Sequence, residues 1–312
     1  MNRRSFLGAL SSFGGIVGAG LSGALAPAPA AASALSDKEW TFVHFTDPHI
    51  QKELRADTGC AQAFRAITKL NPDFAVSGGD LAFDTMAVDR PKADSLYSLY
   101  KETVKHLEVP VHNVIGNHDV FGLSPKSGVK TTDDKYGKAL YEDLFGKRYY
   151  SFDHKGWHFI AVDSIGVTPE REYYGFIDPE QLAWLQSDLE KTGTETPVVI
   201  ITHIPFLSAF PPTVNPPGTP TAKGSLVTNV SQVLPVLKPY KVKAVLQGHT
   251  HVCERIEYHD TQYITSGAVS GNWWKGKRHG FDEGFAVLTM KGEEISWRYQ
   301  TYGWKADVPP AA

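Results

Sequence analysis

Cysteine is scarce in this chain of 312 residues, with only Cys60 and Cys253, so a disulfide-dense scaffold is excluded. The two either pair with each other in an oxidising compartment or stand as small apolar residues, and the sequence is open between these. Basic charge is in deficit as well. Removing residues 1–32 takes away Arg3 and Arg4 and no acid, which leaves 29 basic and 34 acidic side chains and a formal charge of −5. That sign does not suit a polyanion, so long nucleic acid is not an expected partner. A small phosphorylated substrate stays open, because bound metal charge overrides the global balance locally. No long apolar run follows the amino terminus, which excludes a multi-span membrane protein. Hydrophobic residues at 42% and charged residues at 21% exclude a disordered chain.

The amino terminus stands apart. Asn2-Arg3-Arg4-Ser5-Phe6-Leu7 precedes an uncharged Gly/Ala/Ser/Leu stretch from Gly8 to Leu25, and Ala28-Pro29-Ala30 and Ala30-Ala31-Ala32 both read as cleavage sites. Paired arginines ahead of a mildly apolar run resemble a twin-arginine export signal. Residues 1–32 are therefore expected to be removed, with the Tat export machinery as a partner and a periplasmic or secreted product. The alternative is an uncleaved membrane anchor, and the many small residues are weak for stable spanning. No stable anchor is expected after cleavage.

The rest alternates strand-like and helix-like segments. Strands are expected at Trp40–Thr46, Phe74–Ser77, Val111–Ile115, Val198–Ile201 and Ala244–Leu246, and a hairpin at Tyr149–Phe152 and Trp157–Val162. Helices are expected through Cys60–Leu70, from about Pro91 to Leu107, and near Tyr136–Phe145 and Val230–Leu237. Pro179 opens an amphipathic helix with Leu182, Leu185 and Leu189 at helical spacing and Asp178 as its N-cap. The last fifty residues are strand-rich. The pattern predicts one α/β domain over residues 38–302, with two packed sheets between helices and a tail at 303–312. Six prolines crowd residues 205–220, a long loop that is either functional or a surface excursion.

Five short motifs each follow an apolar strand: Asp47-Pro48-His49, Gly79-Asp80, Gly116-Asn117-His118-Asp119, His203 and Gly248-His249-Thr250-His251. Carboxyl ends of strands are where α/β sheets gather ligands, and glycine lets the backbone turn sharply there. One such motif alone arises often by chance. Five in this order, each delivering Asp, Asn or His, predict a convergent metal site. Mixed oxygen and imidazole donors without a thiolate suit Mn, Fe, Zn or Ni.

In this order the five blocks, from Thr41 to His251, resemble the calcineurin-like metallophosphoesterase family. The resemblance implies a two-sheet β-sandwich flanked by helices and two metal ions. It would place Asp47, His49, Asp80 and His251 on the first metal, and Asp80, Asn117, His203 and His249 on the second, with Asp80 bridging. A hydroxide shared by the metals would attack phosphorus, and His118, a catalytic residue rather than a ligand, would assist the leaving group. Asp84 or Asp119 would orient its imidazole. Purple acid phosphatases, similar in outline, carry a ligating tyrosine where this chain has Phe83, which cannot bind iron. The likeness is closer to cyclic-nucleotide and glycerol-type phosphodiesterases. It implies hydrolysis of phosphate esters, with diesters favoured over monoesters and a non-catalytic binding member as a further alternative. A segment from Ser266 to Lys275 resembles one in exported members. Trp273, Trp274 and Lys275 in it are a candidate substrate pocket, with Arg278 and His279 close by; the alternative is that one tryptophan is core and the basic residues are solvated.

Overall fold

The computed structural model describes residues 35–307; the expected export signal lies outside them. In chain order the strands are β1 (Trp40–Phe45), β2 (Ala75–Ser77), β3 (Val111–Asn113), β4 (Tyr150–His154), β5 (Trp157–Ala161), β6 (Ile165–Val167) and β7 (Tyr173–Gly175). They continue with β8 (Val198–Ile201), β9 (Val242–Gln247), β10 (Glu254–Tyr258), β11 (Thr261–Thr265), β12 (Gly284–Lys291) and β13 (Glu294–Thr301). The helices are α1 (Ala56–Thr68), α2 (Arg90–Thr103), α3 (Ala139–Phe145), α4 (Pro179–Thr192), α5 (Phe210–Val214) and α6 (Val230–Leu237).

Two sheets of order β13-β12-β1-β2-β3 and β10-β11-β9-β8-β5-β4 make the frame, and β6 and β7 form a separate hairpin. Within each large sheet the inner strands run parallel: β1 with β2 and β2 with β3, and β5 with β8, β8 with β9 and β9 with β11. Alternation along the strands builds two apolar layers. Phe42 joins Phe159, Val199 and Leu246 in one buried cluster that draws on both sheets. Its neighbours Val43 and Phe45 join a second cluster with Phe64 and Ile67 of α1. Phe74 locks the first layer, stacked on Phe42 at 5.0 Å and edge-on to Phe159 at 5.3 Å. This is the expected two-sheet α/β architecture.

Helix α4 starts as its sequence dictates. The Asp178 carboxylate accepts from the Gln181 amide at 2.8 Å, Pro179 fills a first-turn position, and Leu185 and Leu189 are buried. Several expectations shift. Helix α3 is shorter than Tyr136–Phe145, and α2 ends at Thr103 with a 3-10 turn beyond it. The proline-rich stretch holds α5, because Pro211 and Pro212 sit in the first turn, where amides need no partner. The β6–β7 hairpin was not legible at all. The packed domain also runs past 302: Trp304, assigned to the tail, meets Trp274 edge-on at 5.4 Å. Among the described residues no helix is long and apolar enough to cross a membrane.

Candidate metal centre

The five motifs converge. Asp47 follows β1, Asp80 follows β2, Asn117 follows β3, His203 follows β8, and His249 and His251 follow β9. Their donor atoms fall into overlapping groups, Asp47 with His49 and His251, His49 with Asp80 and His118, and Asp80 with His203 and His249. Asp80 stands at the join: its Oδ2 is 3.5 Å from His49 Nε2 and 3.3 Å from His203 Nε2.

The backbone dictates which imidazole nitrogen is free. His49 Nδ1 faces the Phe83 carbonyl at 3.2 Å, His203 Nδ1 the Gly78 carbonyl at 2.8 Å, and His251 Nδ1 the Gly271 carbonyl at 2.5 Å. Each Nδ1 therefore carries the proton, and in the neutral ring each Nε2 presents a lone pair. Those lone pairs point at other acceptors. His49 Nε2 is 3.2 Å from His251 Nε2, His251 Nε2 is 3.1 Å from Asp47 Oδ1, and His203 Nε2 is 3.0 Å from Asn117 Oδ1. Asp47 Oδ1 is buried without a hydrogen-bond donor. Acceptors packed against acceptors need a cation between them. Burial lowers the pKa of His49 and of His249 to about 3, which keeps both in the neutral form that ligates metal. Burial works the same way on His203, but Asp80 and Asp47 outweigh it and raise that pKa to about 9, so there a proton on Nε2 does the job that a bound cation would take over. Among the described residues the ion pairs of Asp47 and Asp80 are with histidines alone. The seven residues thus fit bound cations, which Asp80 and the groups on either side of it would hold.

Close approach of the loops depends on glycine. A Cβ on Gly116 would lie 2.2 Å from the Asp80 amide nitrogen, and one on Gly248 would lie 2.2 Å from Thr46 Oγ1. Thr46 Oγ1 and the His249 amide both donate to Asp47 Oδ2, at 2.6 and 3.0 Å, so that oxygen is oriented while Oδ1 stays open.

The chain belongs to the calcineurin-like phosphoesterase family. The family model matches residues 41–253, a span that contains all seven converging residues. No curated protein matches the chain by sequence. In fold it is similar to a dimetal phosphatase from Danio rerio, at 18% identity and a TM-score of 0.57, covering 84% of this chain and 96% of that one. It is also similar to the anchor in the inner membrane complex of Plasmodium, at 17% identity and a TM-score of 0.53, covering 86% of each chain. A purple acid phosphatase from yellow lupin (Lupinus luteus) seeds has a TM-score of 0.54 at 14% identity, covering 88% of this chain and 53% of that one. This phosphoesterase is accordingly a metal-dependent hydrolase of phosphoric esters.

His118 lines the cavity at the centre, which measures 230 Å³. Its amide donates to Asp80 Oδ1 at 2.8 Å, and its carbonyl accepts from the Thr85 hydroxyl at 2.8 Å. Its Nδ1 has no hydrogen-bond partner; the nearest acid is Asp84, at 3.9 Å. Asp119 does not orient it. That carboxylate is buried and accepts from the amides of Leu81, Ala82 and Gly116 at 3.0 to 3.3 Å, tying two ligand loops together.

The expected substrate pocket divides. Trp274 is fully buried and its indole N–H donates to the Pro48 and His49 carbonyls, each at 3.1 Å. It therefore belongs to the core, where it clamps the first ligand loop. Lys275 is exposed and lies outside the cavity. Trp273 and Arg278 do line it, and so does Tyr173 from the unforeseen β6–β7 hairpin. Phe83 serves through its carbonyl on His49. Cys60 and Cys253 are both free thiols, and Cys60 is buried with its thiol 3.6 Å from the Pro48 carbonyl. A larger cavity of 630 Å³ at α6 contains none of the motifs, so chemistry rather than size marks the site.

Proposed function

We propose that this phosphoesterase is an exported phosphodiesterase. The observation that carries the diester reading is a second opening at the centre. A cavity of 510 Å³ shares Tyr173, His249 and Ser225 with the 230 Å³ cavity. One phosphoryl position served by two clefts suits an ester with two substituents, since a monoester fills one. Trp273 and α5 border the smaller cleft, while Met86, Ala87 and Leu123 wall the larger.

Cations bound at the centre would polarise the phosphoryl oxygens and lower the pKa of a water to supply the nucleophile. Asp47, His49, Asp80 and His251 would hold one, and Asp80, Asn117, His203 and His249 the other. The donor set suits Mn, Fe, Zn or Ni. His118 sits beside Asp80 with its imidazole at the cavity wall, where it gives a proton to the departing oxygen. Phe210 and Pro211 of α5 line the cavity. Export rests on Arg3-Arg4 and the weakly apolar run behind them.

Metal-loaded protein assayed on an aryl phosphate monoester, a bis-aryl diester, a cyclic nucleotide and a glycerophosphodiester tests the reading. Higher kcat/KM on diesters, abolished by chelation, is the expected result. Faster turnover of monoesters throughout refutes the diester preference. Residues 1–32 fused to a folded reporter should send it to the periplasm of a bacterial host, and replacing Arg3 and Arg4 by lysine should retain it inside.

A further inference from the structure

Arg278 is held at the centre by everything except an acid. Its Nε donates to the Thr250 carbonyl at 3.2 Å and one Nη to Asn272 Oδ1 at 3.4 Å. Its guanidinium lies over the Trp273 ring, 4.5 Å from the centroid. Its backbone exchanges both hydrogen bonds with Phe281, at 3.0 and 2.9 Å, around a tight turn at His279 and Gly280. Among the described residues it makes no ion pair with a carboxylate, and its second Nη has no hydrogen-bond acceptor. Burial pulls its pKa below the ordinary value, against the attraction of Asp47.

Trp273 explains the placement. Its ring is 4.7 Å from His251 and 5.8 Å from His49, and Arg278 lies over it as well. The ring is a wedge between ligand imidazoles and guanidinium rather than a free stacking platform. An arginine fork is always charged and matches oxyanion geometry. Leaving one half-buried and unneutralised is unfavourable unless a ligand completes it. Cations held by the groups around Asp80 and Asp47 would already serve the phosphoryl group under attack.

Resting on the phosphoesterase reading, we propose that Arg278 binds a second oxyanion of the substrate, so that preferred substrates carry a phosphate or carboxylate near the phosphoryl group that is hydrolysed. The determinant is one residue, preset by Trp273 and the His279–Gly280 turn.

Calorimetric titration of metal-loaded protein with methylphosphonate, phosphonoacetate and methylenediphosphonate tests this without turnover. Wild type should bind one or both of the two-anion ligands at least tenfold more tightly than methylphosphonate, and which of them shows the gain identifies phosphate or carboxylate as the second group. Arg278→Gln, at unchanged metal content, should shrink that gain about tenfold, and Arg278→Lys should restore part of it. Lys275→Gln, which alters an exposed residue outside the cavity, should leave all three affinities unchanged. An equal loss for all three ligands in Arg278→Gln would place the guanidinium on the attacked phosphoryl group and overturn the proposal. An undiminished gain would overturn it too. Failure of the phosphoesterase reading shows separately, as absence of hydrolysis by loaded wild type on every ester.

Discussion

Replacing Trp274 by phenylalanine keeps an aromatic core residue and removes two things at once. The indole N–H lies 3.1 Å from both the Pro48 and the His49 carbonyls, and no phenyl atom replaces it. A net hydrogen bond is worth about 0.5–1.5 kcal/mol, and buried acceptors left bare cost on the order of 1–3 kcal/mol. The missing part of the ring system also leaves a void. The six-membered ring of Trp274 fills the notch at Gly59 so closely that a Cβ there would meet its Cζ3 at 2.1 Å. Truncation of a buried tryptophan to alanine costs roughly 3–5 kcal/mol, of which loss of a part is roughly 1–2. Together the change should destabilise the fold by about 2–4 kcal/mol.

The location makes a sharper statement. The clamped carbonyls belong to the loop that presents Asp47 and His49, so cation affinity should fall as well, and a cation stabilises the fold according to that affinity. Urea unfolding should therefore show a larger loss for metal-loaded than for chelated Trp274→Phe, with midpoints compared at constant slope. A loss below about 1 kcal/mol, or equal losses in the two states, would refute the clamp.

Asp80→Asn should leave fewer than two cations per chain by elemental analysis and cut kcat/KM by more than the roughly 10–100-fold typical of an outer-shell partner. His118→Ala should keep its metals and lose about 10²–10⁴-fold in kcat; unchanged kcat would remove it from the chemistry. A third change concerns pH and stability. Burial alone would lower the His158 pKa, yet its hydrogen bonds to Asp188 at 2.9 Å and Asp153 at 2.6 Å raise it overall. A raised folded pKa gives stability that is fully present below about pH 6.5 and lost as pH climbs through the folded value. The stability of wild type relative to His158→Asn should therefore decline as pH rises above about 6.5 in urea titrations, and a flat difference would contradict the pairing.

The convergence of the seven site residues was legible because strand and glycine signals are local. An apolar run ending in Gly-Asp or Gly-Asn-His-Asp marks both the strand and the side chain at its end, and β1, β2, β3, β8 and β9 deliver their residues there. What failed depends on backbone that has no period. Trp273 and Trp274 are neighbours with φ of 48° and 70°, so neither helical nor strand alternation says which one is buried. The choice between Asp84 and Asp119 beside His118 was hidden for the same reason, since a 3-10 turn at Asn117–Asp119 aims Asp119 back at the loop amides. Tyr173 was beyond reach as a wall residue because it arrives on β7, which carries no motif, whereas Arg278 stood beside the tryptophan pair already marked as a candidate pocket.

That irregular backbone is itself part of the site. Asp47, His49, Asp80, His249 and His251 all have φ between 40° and 71°, so five of the seven converging residues sit in the left-handed region, at about 1–2 kcal/mol each. The sum is comparable to the whole stability of an ordinary domain, about 5–15 kcal/mol. Such conformations persist only where the surroundings over-determine them. Here the Trp274 clamp on Pro48 and His49, and the Asp119 carboxylate across three amides, hold two of the loops. The parallel strands anchor the near end of each ligand loop. Left-handed turns reverse the chain two to four residues after β1, β2 and β9, and this helps donors from five strands crowd into one small volume with their acceptor atoms 3.0 to 3.5 Å apart. Ordinary extended backbone would carry those side chains apart, so the strain is what gathers the acceptors, and the gathered acceptors are what call for the cations.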